Sequence, residues 1–420
     1  MNMNGWDTVY ALNIVNANQA LASSLSQLVP GVQGEISGVL GNYTVSVEFG
    51  AWQIALGGSS QLINLQVPII GGSITSTGGQ SISLKGYTAL FSVSLKLLTS
   101  APQQQALRFD FTQAGTLGQS PAPGVVVPLG FVGAAPDPTV GTLALNAIAT
   151  GLVAQAAKLH FAFAQINLVP SGANSWLAPH QLAYAFFANL QNQGFLAILS
   201  TTGDPTRLPV TVDPQLTAGG TAGFAFSLPL FFRNCVIPQM AATLPSNPVN
   251  KFVVNNNVPP QVVLTSGTGL GHVKVGAITY HPSMDGFCAT PGVNQMRINV
   301  NGGCNVRAGL SMSWSGNVTN SFQFNAQKQT IDFVAGSPSL RHNIRIPWYY
   351  WLLSPIITAI AKGVASLIGN SIASFIKGKV GAGLMSAAPP TSVQFAGMKQ
   401  FHVTGAVFDG AVILTGQPGQ

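Results

Sequence analysis

The stretch from Trp348 to Val380, WYYWLLSPIITAIAKGVASLIGNSIASFIKGKV, decides how this chain of 420 residues is read. On a helical projection at about 100° per residue, Ile357, Ile360, Ala361, Val364, Leu367, Ile368, Ile372 and Phe375 share one broad apolar arc. Lys362, Ser366, Asn370 and Lys377 fall opposite. Such an arc has to be covered. About 20 helical residues extend over about 30 Å, and a sheet covering that length must curl around it, which predicts a long cylinder. Pro355 and the polar residues break the run, so it is amphipathic rather than a clean membrane span of about 20 apolar residues. Where sheet and helix bow apart, Ile357, Ile360, Val364, Leu367, Ile368, Ile372 and Phe375 are the candidate lipid-facing residues, at about 0.8 kcal/mol per buried methylene. Lys362, Lys377 and Lys379 are the candidate head-group contacts. The same arc also suits a solidly packed core.

Outward from this segment, strand signals dominate. Tyr43, Val45, Val47 and Phe49 alternate with Thr44, Ser46 and Glu48, and Phe91, Val93, Leu95 and Leu97 alternate with Ser92, Ser94 and Lys96. Gly57-Gly58-Ser59-Ser60, Gly71-Gly72-Ser73 and Pro121-Ala122-Pro123-Gly124 read as hairpin turns of antiparallel sheets. Three further helices are expected, over Asn16 to Leu28, Thr142 to Ala157 and Leu228 to Ala242, with Pro229 and Pro238 blurring the limits of the third. The order of elements in the second half repeats the first in outline. The expected class is α+β, with two units of curved antiparallel sheet around amphipathic helices, residues 1–170 and 171–420, divided at Pro170 to Pro179.

Charged residues make up 6% of the chain and hydrophobic ones 47%, against about 25% charged in ordinary soluble domains. Ser, Thr, Asn, Gln and Gly take their place, leaving little charge to hold copies apart, so self-association is expected. The net charge of +7 lies in one half. Residues 1–285 hold eight basic and eight acidic side chains, whereas residues 286–420 hold nine basic ones against Asp332 and Asp409. Their spacing, without Lys and Arg clustered among aromatics, argues against nucleic acid and leaves an anionic membrane surface or an acidic protein as partner. The opening Met1 to Asp7 has neither the basic nor the apolar region of a secretory signal, so Sec export is not expected. Cys235, Cys288 and Cys304 are not at metal spacing; Cys288 with Cys304 suits a bridge across a hairpin, but a reducing compartment disfavours it.

The sequence carries no recognisable catalytic pattern. Ten acids leave no pair at a spacing that joins them on a helix face or strand. Gly267-Thr268-Gly269-Leu270-Gly271 leads into the strand-like His272-Val273-Lys274-Val275, where a dinucleotide site needs a helix. Ser374 and Lys377 match Ser-x-x-Lys but lack the companion motifs of that enzyme class. The six histidines stand singly, and His281 with Ser283 and Asp285 is the nearest local approach to a triad. The expectation is a non-enzyme with neither metal nor cofactor.

The opening Asn4-Gly5-Trp6-Asp7-Thr8-Val9-Tyr10-Ala11 resembles the start of the 47-kilodalton protein and OrfX proteins encoded in clostridial botulinum neurotoxin gene clusters. Trp176-Leu177-Ala178-Pro179, Tyr184-Ala185-Phe186, Leu196-Ala197-Ile198-Leu199-Ser200 and Phe232-Arg233-Asn234-Cys235-Val236-Ile237-Pro238 resemble later segments of that family, in its order. The resemblance implies the TULIP fold, an elongated tubular lipid-binding architecture with curved antiparallel sheets wrapped around helices. It also implies a lipid or fatty acid as ligand. The low charge departs from the Lys- and Glu-rich clostridial members, so toxin-cluster membership is not carried over. The expected function is lipid binding; the alternative is a structural or toxin-accessory interaction protein with a solid core. A pore-former or adhesin ranks third.

Overall fold

The computed structural model describes residues 1–24, 28–38, 41–169, 176–203, 208–275, 277–307, 310–344, 392–398 and 400–419. The period-two runs do become strands, and the described chain is mostly antiparallel sheet with few helices. It forms two compact units. The N-terminal unit contains Asn4–Phe224, Pro389–His402 and Thr415–Gln420, and the C-terminal unit contains Met1–Met3, Ala225–Ala388 and Val403–Leu414. This division falls within the strand Ala222–Ser227 rather than at residue 170. Strand pairing explains the difference: Gln181–Ala188 pairs with Gly194–Thr201, which pairs in turn with Thr8–Asn13, opposing Tyr10 to Ile198.

The large sheet of the N-terminal unit runs in the order Gly31–Gly38, Gly41–Phe49, Leu62–Ser76, Thr88–Ala101, Gln104–Asp110, Ala162–Asn167 and Val393–Phe395. Ile63, Leu65, Val67 and Ile69 are buried on one face of the Leu62–Ser76 strand, as its alternation requires. Gly71-Gly72, expected to turn, instead sits inside this strand. Gly72 takes φ +106°, a conformation closed to most side chains, beside a register shift between Glu48 and Phe49. The glycines therefore bend a continuous strand.

Helix Ile14–Ser23 starts where the Asn13 side chain accepts from the Val15 N–H at 2.8 Å, two residues ahead of the expected start. Helix Pro138–Ala154 begins four residues ahead of the expected start, where Asp137 accepts from Thr139 N–H at 2.9 Å and proline occupies the first helical position. It packs on the strands Gly31–Gly38 and Val125–Phe131.

In the C-terminal unit the Leu228 to Ala242 reading holds, as α-helix Leu228–Phe231, π-turn Phe232–Val236 and α-helix Ile237–Ala242. Pro238 has no N–H for the Asn234 carbonyl, and a π-turn is one way for a helix to absorb that gap. The sheet runs Phe252–Val254, Val262–Leu264, Ser283–Gly292, Gln295–Arg307, Leu310–Asn325, Thr330–Ala335, with Ser339–Ile344 also on Leu310–Asn325. Its buried face meets a phenylalanine cluster. Phe322 and Phe408 stack at 5.4 Å, Phe333 lies edge-on to Phe408 at 5.5 Å, and Phe231 joins them at 6.0 Å.

The long amphipathic segment, with Ile357, Ile360, Val364, Leu367, Ile368, Ile372, Phe375, Lys362, Lys377 and Lys379, lies outside the described residues. Among the described residues no helix is long and apolar enough to cross a membrane.

Candidate functional site

The strands Gln295–Arg307 and Leu310–Asn325 alternate so strictly that one face is apolar and the other almost wholly amide and hydroxyl. Met296, Ile298, Val300, Met312, Trp314, Val318 and Phe322 are buried. Gln295, Arg297, Asn299, Asn301, Ser313, Ser315, Asn317, Thr319 and Ser321 are exposed.

Register turns this alternation into a grid. Cys288, Asn299, Asn317 and Ser339 form one row across four strands, and Gly286, Asn301, Ser315 and Arg341 form the next. Thr290, Arg297 and Thr319 lie on one side of these rows, and Gly303, Ser313 and Asn343 on the other. Rows repeat every about 7 Å along the strands and residues every about 4.8 Å across them. Two depressions of about 610 and 400 Å³ lie on this face and share Asn301, Ser315 and Arg341. Arg341 is exposed, and among the described residues no ion pair or hydrogen bond holds its guanidinium. Among the described residues Asp285 is the one carboxylate lining either depression. Chemically the face offers donors and acceptors in a fixed array with two exposed guanidinium groups, Arg297 and Arg341, which suits an extended polar ligand with a carboxylate.

The nearest local approach to a triad does not assemble. Ser283 Oγ donates to the Gly303 carbonyl at 3.3 Å, and His281 faces His272 at 6.5 Å between ring centroids, so the Ser283, His281, Asp285 set shows no linked proton relay. Thr268–Gly269 pairs with Ser283 and Met284 as a short strand. Among the described residues no three His, Cys, Asp or Glu side chains are grouped to hold a metal ion. All three cysteines are free. Cys288 opposes Asn299 and Cys304 opposes Met312, five places apart on facing strands and therefore about 17 Å apart, far beyond disulfide reach. Burial pushes the Cys235 thiol up to about 12 and raises that of Cys304.

The opening motif proves architectural. Trp6 is buried and its Nε1 donates to the Pro209 carbonyl at 2.9 Å. Asp7 accepts from the backbone N–H and the hydroxyl of Thr202, each at 2.8 Å. Tyr10 sits edge-on to Phe224, Phe395 and Phe401 at 6.0, 5.2 and 5.8 Å, and burial raises its phenol pKa.

These features define a two-unit, mostly antiparallel β protein that presents a broad amide-rich sheet face. Residues 3–407 match the model of the OrfX-like family, described as Protein OrfX2/OrfX3/P47, and the chain belongs to that family. A relative, Protein P47 of Clostridium botulinum (strain Kyoto / Type A2), is 24% identical over 297 residues, 68% of each chain. Two solved structures share the fold. P47 from Clostridium botulinum A2 aligns with a TM-score of 0.81 at 20% identity, covering 99% of this chain and 98% of that one. P47 of Clostridium botulinum E1 aligns with a TM-score of 0.81 at 19% identity, covering 99% and 100%. A lipopolysaccharide binding protein reaches a TM-score of 0.23, too low to bear on fold or ligand.

Proposed function

We propose that the chain is a non-catalytic interaction protein, an accessory member of the OrfX-like family, whose grid of Asn, Ser and Thr around Arg341 docks an extended, carboxylate-bearing segment of a partner protein. The regular amide and hydroxyl rows carry this reading. They leave donors and acceptors on a face where a monomer needs only wettability, and the Arg297 and Arg341 guanidinium groups set the sign of the partner. Family membership among toxin-cluster proteins supports the accessory role.

The test is reconstitution with the purified products of the genes beside its own, followed by light scattering and titration calorimetry. A complex weakened about tenfold or more by Arg341→Glu or Asn317→Trp, and untouched by Lys85→Glu in the N-terminal unit, is the expected result. A complex indifferent to the face variants would overturn it.

A second reading, a TULIP-like tube that holds a lipid or fatty acid, rests on the apolar arc from Ile357 to Phe375 in the sequence, with Lys362, Lys377 and Lys379 meeting anionic head groups. Its measurement is mass spectrometry of organic extracts of purified protein together with uptake of a fluorescent fatty acid. Lipid in neither assay rejects it.

A further inference from the structure

The large sheet of the N-terminal unit places two cations side by side. Lys96 stands directly opposite Arg108 in the register of Thr88–Ala101 with Gln104–Asp110, so both side chains leave the same face, where like charges repel. With ten acids available against seventeen Lys and Arg, a neutralising carboxylate would have been a single substitution away. Among the described residues none supplies an ion pair to either cation. Asp110, two places along the strand, accepts from the Thr112 hydroxyl at 2.8 Å. Among the described residues none gives the buried Arg108 Nε a hydrogen-bond partner, and such a group is ordinarily satisfied by water, an ion or a ligand.

The neighbouring strands complete a site around that guanidinium. Ala162 opposes Arg108, Gln165 opposes Ala106, and Gln394 opposes Gln165, so both glutamines share its face. A bulge between Ala162 and Ala164 breaks the ladder at that point, as bulges do where a strand re-aims side chains. Here a cavity of about 460 Å³ opens. Arg108, His160, Gln165 and Gln394 line it with polar groups, half-exposed Ala162 and Ala396 line it with apolar ones, and among the described residues no carboxylate is in its walls. Phe395, opposite Ala164, turns its ring to the buried face, 5.2 Å from that of Tyr10, and the Tyr10 hydroxyl points to Met398 Sδ at 3.9 Å.

We propose that this cavity binds a small organic anion, a carboxylate or phosphate monoester carried on an apolar body. Arg108 receives the anionic oxygens through its fork of donors, the Gln165 and Gln394 amides and His160 surround them, and Ala162, Ala396 and Met398 meet the apolar part. Lys96 adds attraction from the same face. The volume is that of ordinary small-ligand sites. The inference stands apart from the docking face, which lies on the other unit.

Titration calorimetry on the full chain with octanoate, octyl phosphate, octanol and inorganic phosphate tests it. Octanoate or octyl phosphate is expected to bind about tenfold or more tighter than either octanol or inorganic phosphate, and Arg108→Gln to remove that margin while leaving the unliganded melting temperature unchanged or higher. Gln165→Glu, which sets a carboxylate in the cavity without touching Arg108, is expected to weaken both organic anions and serves if Arg108→Gln does not fold. Arg341→Gln, in the other unit, should change nothing. Flotation with vesicles containing phosphatidic acid separates the sources: Arg108-dependent flotation identifies a lipid head group, and calorimetric binding without flotation a soluble anion. Equal binding of octanol and octanoate, equal binding of inorganic phosphate, or full binding by Arg108→Gln and Gln165→Glu would overturn the proposal.

Discussion

The Tyr184 hydroxyl donates to the Gln61 carbonyl at 2.6 Å and accepts the Leu95 N–H at the same distance. One buried phenol thus fastens the strand Gln181–Ala188 to the large sheet, and its burial raises its pKa. Tyr184→Phe keeps the ring and strands both backbone groups. The expected loss is about 1–3 kcal/mol, seen as a lower urea midpoint at unchanged slope. An unchanged midpoint would mean that water replaces the hydroxyl at no cost.

Gly151 in helix Pro138–Ala154 faces Val32, and a Cβ there would lie 2.6 Å from the Val32 Cβ. Alanine gains about 1 kcal/mol of helix propensity but forces the helix off the sheet at about 1–3 kcal/mol. Gly151→Ala should therefore lower the melting temperature, and adding Val32→Ala should restore part of it. A stabilised single variant would show that helix and strand separate freely.

The pattern of the chain already displayed most of the strands, because period-two alternation reports a half-buried sheet directly. The polar grid is legible too: from Gln295 to Gln323 polar residues alternate with Met296, Ile298, Val300, Met312, Trp314, Val318 and Phe322, a weaker signal than the helix-like stretch that follows it. Gly71-Gly72 misled because glycine marks a bend inside a strand and a turn between strands in the same letters. The anion cavity was not legible. Lys96, Arg108, His160, Gln165 and Gln394 are dispersed along the chain, and only strand register brings Lys96, Arg108, Gln165 and Gln394 to one face.

The cysteines should separate sharply by reactivity. The Cys235 thiol is held at about 12 by burial, against its ordinary value of 9.0, so at pH 8 only about one molecule in ten thousand carries the thiolate that attacks alkylating reagents. Half-buried Cys288 should be modified first, with Cys235 and Cys304 protected until denaturant is added. The raised value also has a sign for stability. The neutral buried thiol favours the fold below pH 9, and that advantage is lost as the pH climbs towards 12. Mass spectrometry after timed iodoacetamide labelling checks the order, and rapid native labelling of Cys235 would contradict it.

Trp6 and Asp7 form a clasp that tests whether the opening motif serves architecture rather than ligand. Trp6→Phe removes the Nε1 bond to the Pro209 carbonyl, and Asp7→Ala removes the acceptor shared by the Thr202 N–H and hydroxyl. Hydrogen bonds to a charged acceptor contribute about 1.5–3 kcal/mol and neutral ones about 0.5–1.5 kcal/mol, so Asp7→Ala should destabilise more than Trp6→Phe. Asp7→Asn, which keeps an acceptor oxygen but loses the charge, should fall between Asp7→Ala and the parent. The ordering is read from denaturation midpoints, with octanoate calorimetry run in parallel. If these variants kept full stability and lost ligand or partner binding instead, the motif would belong to a binding surface.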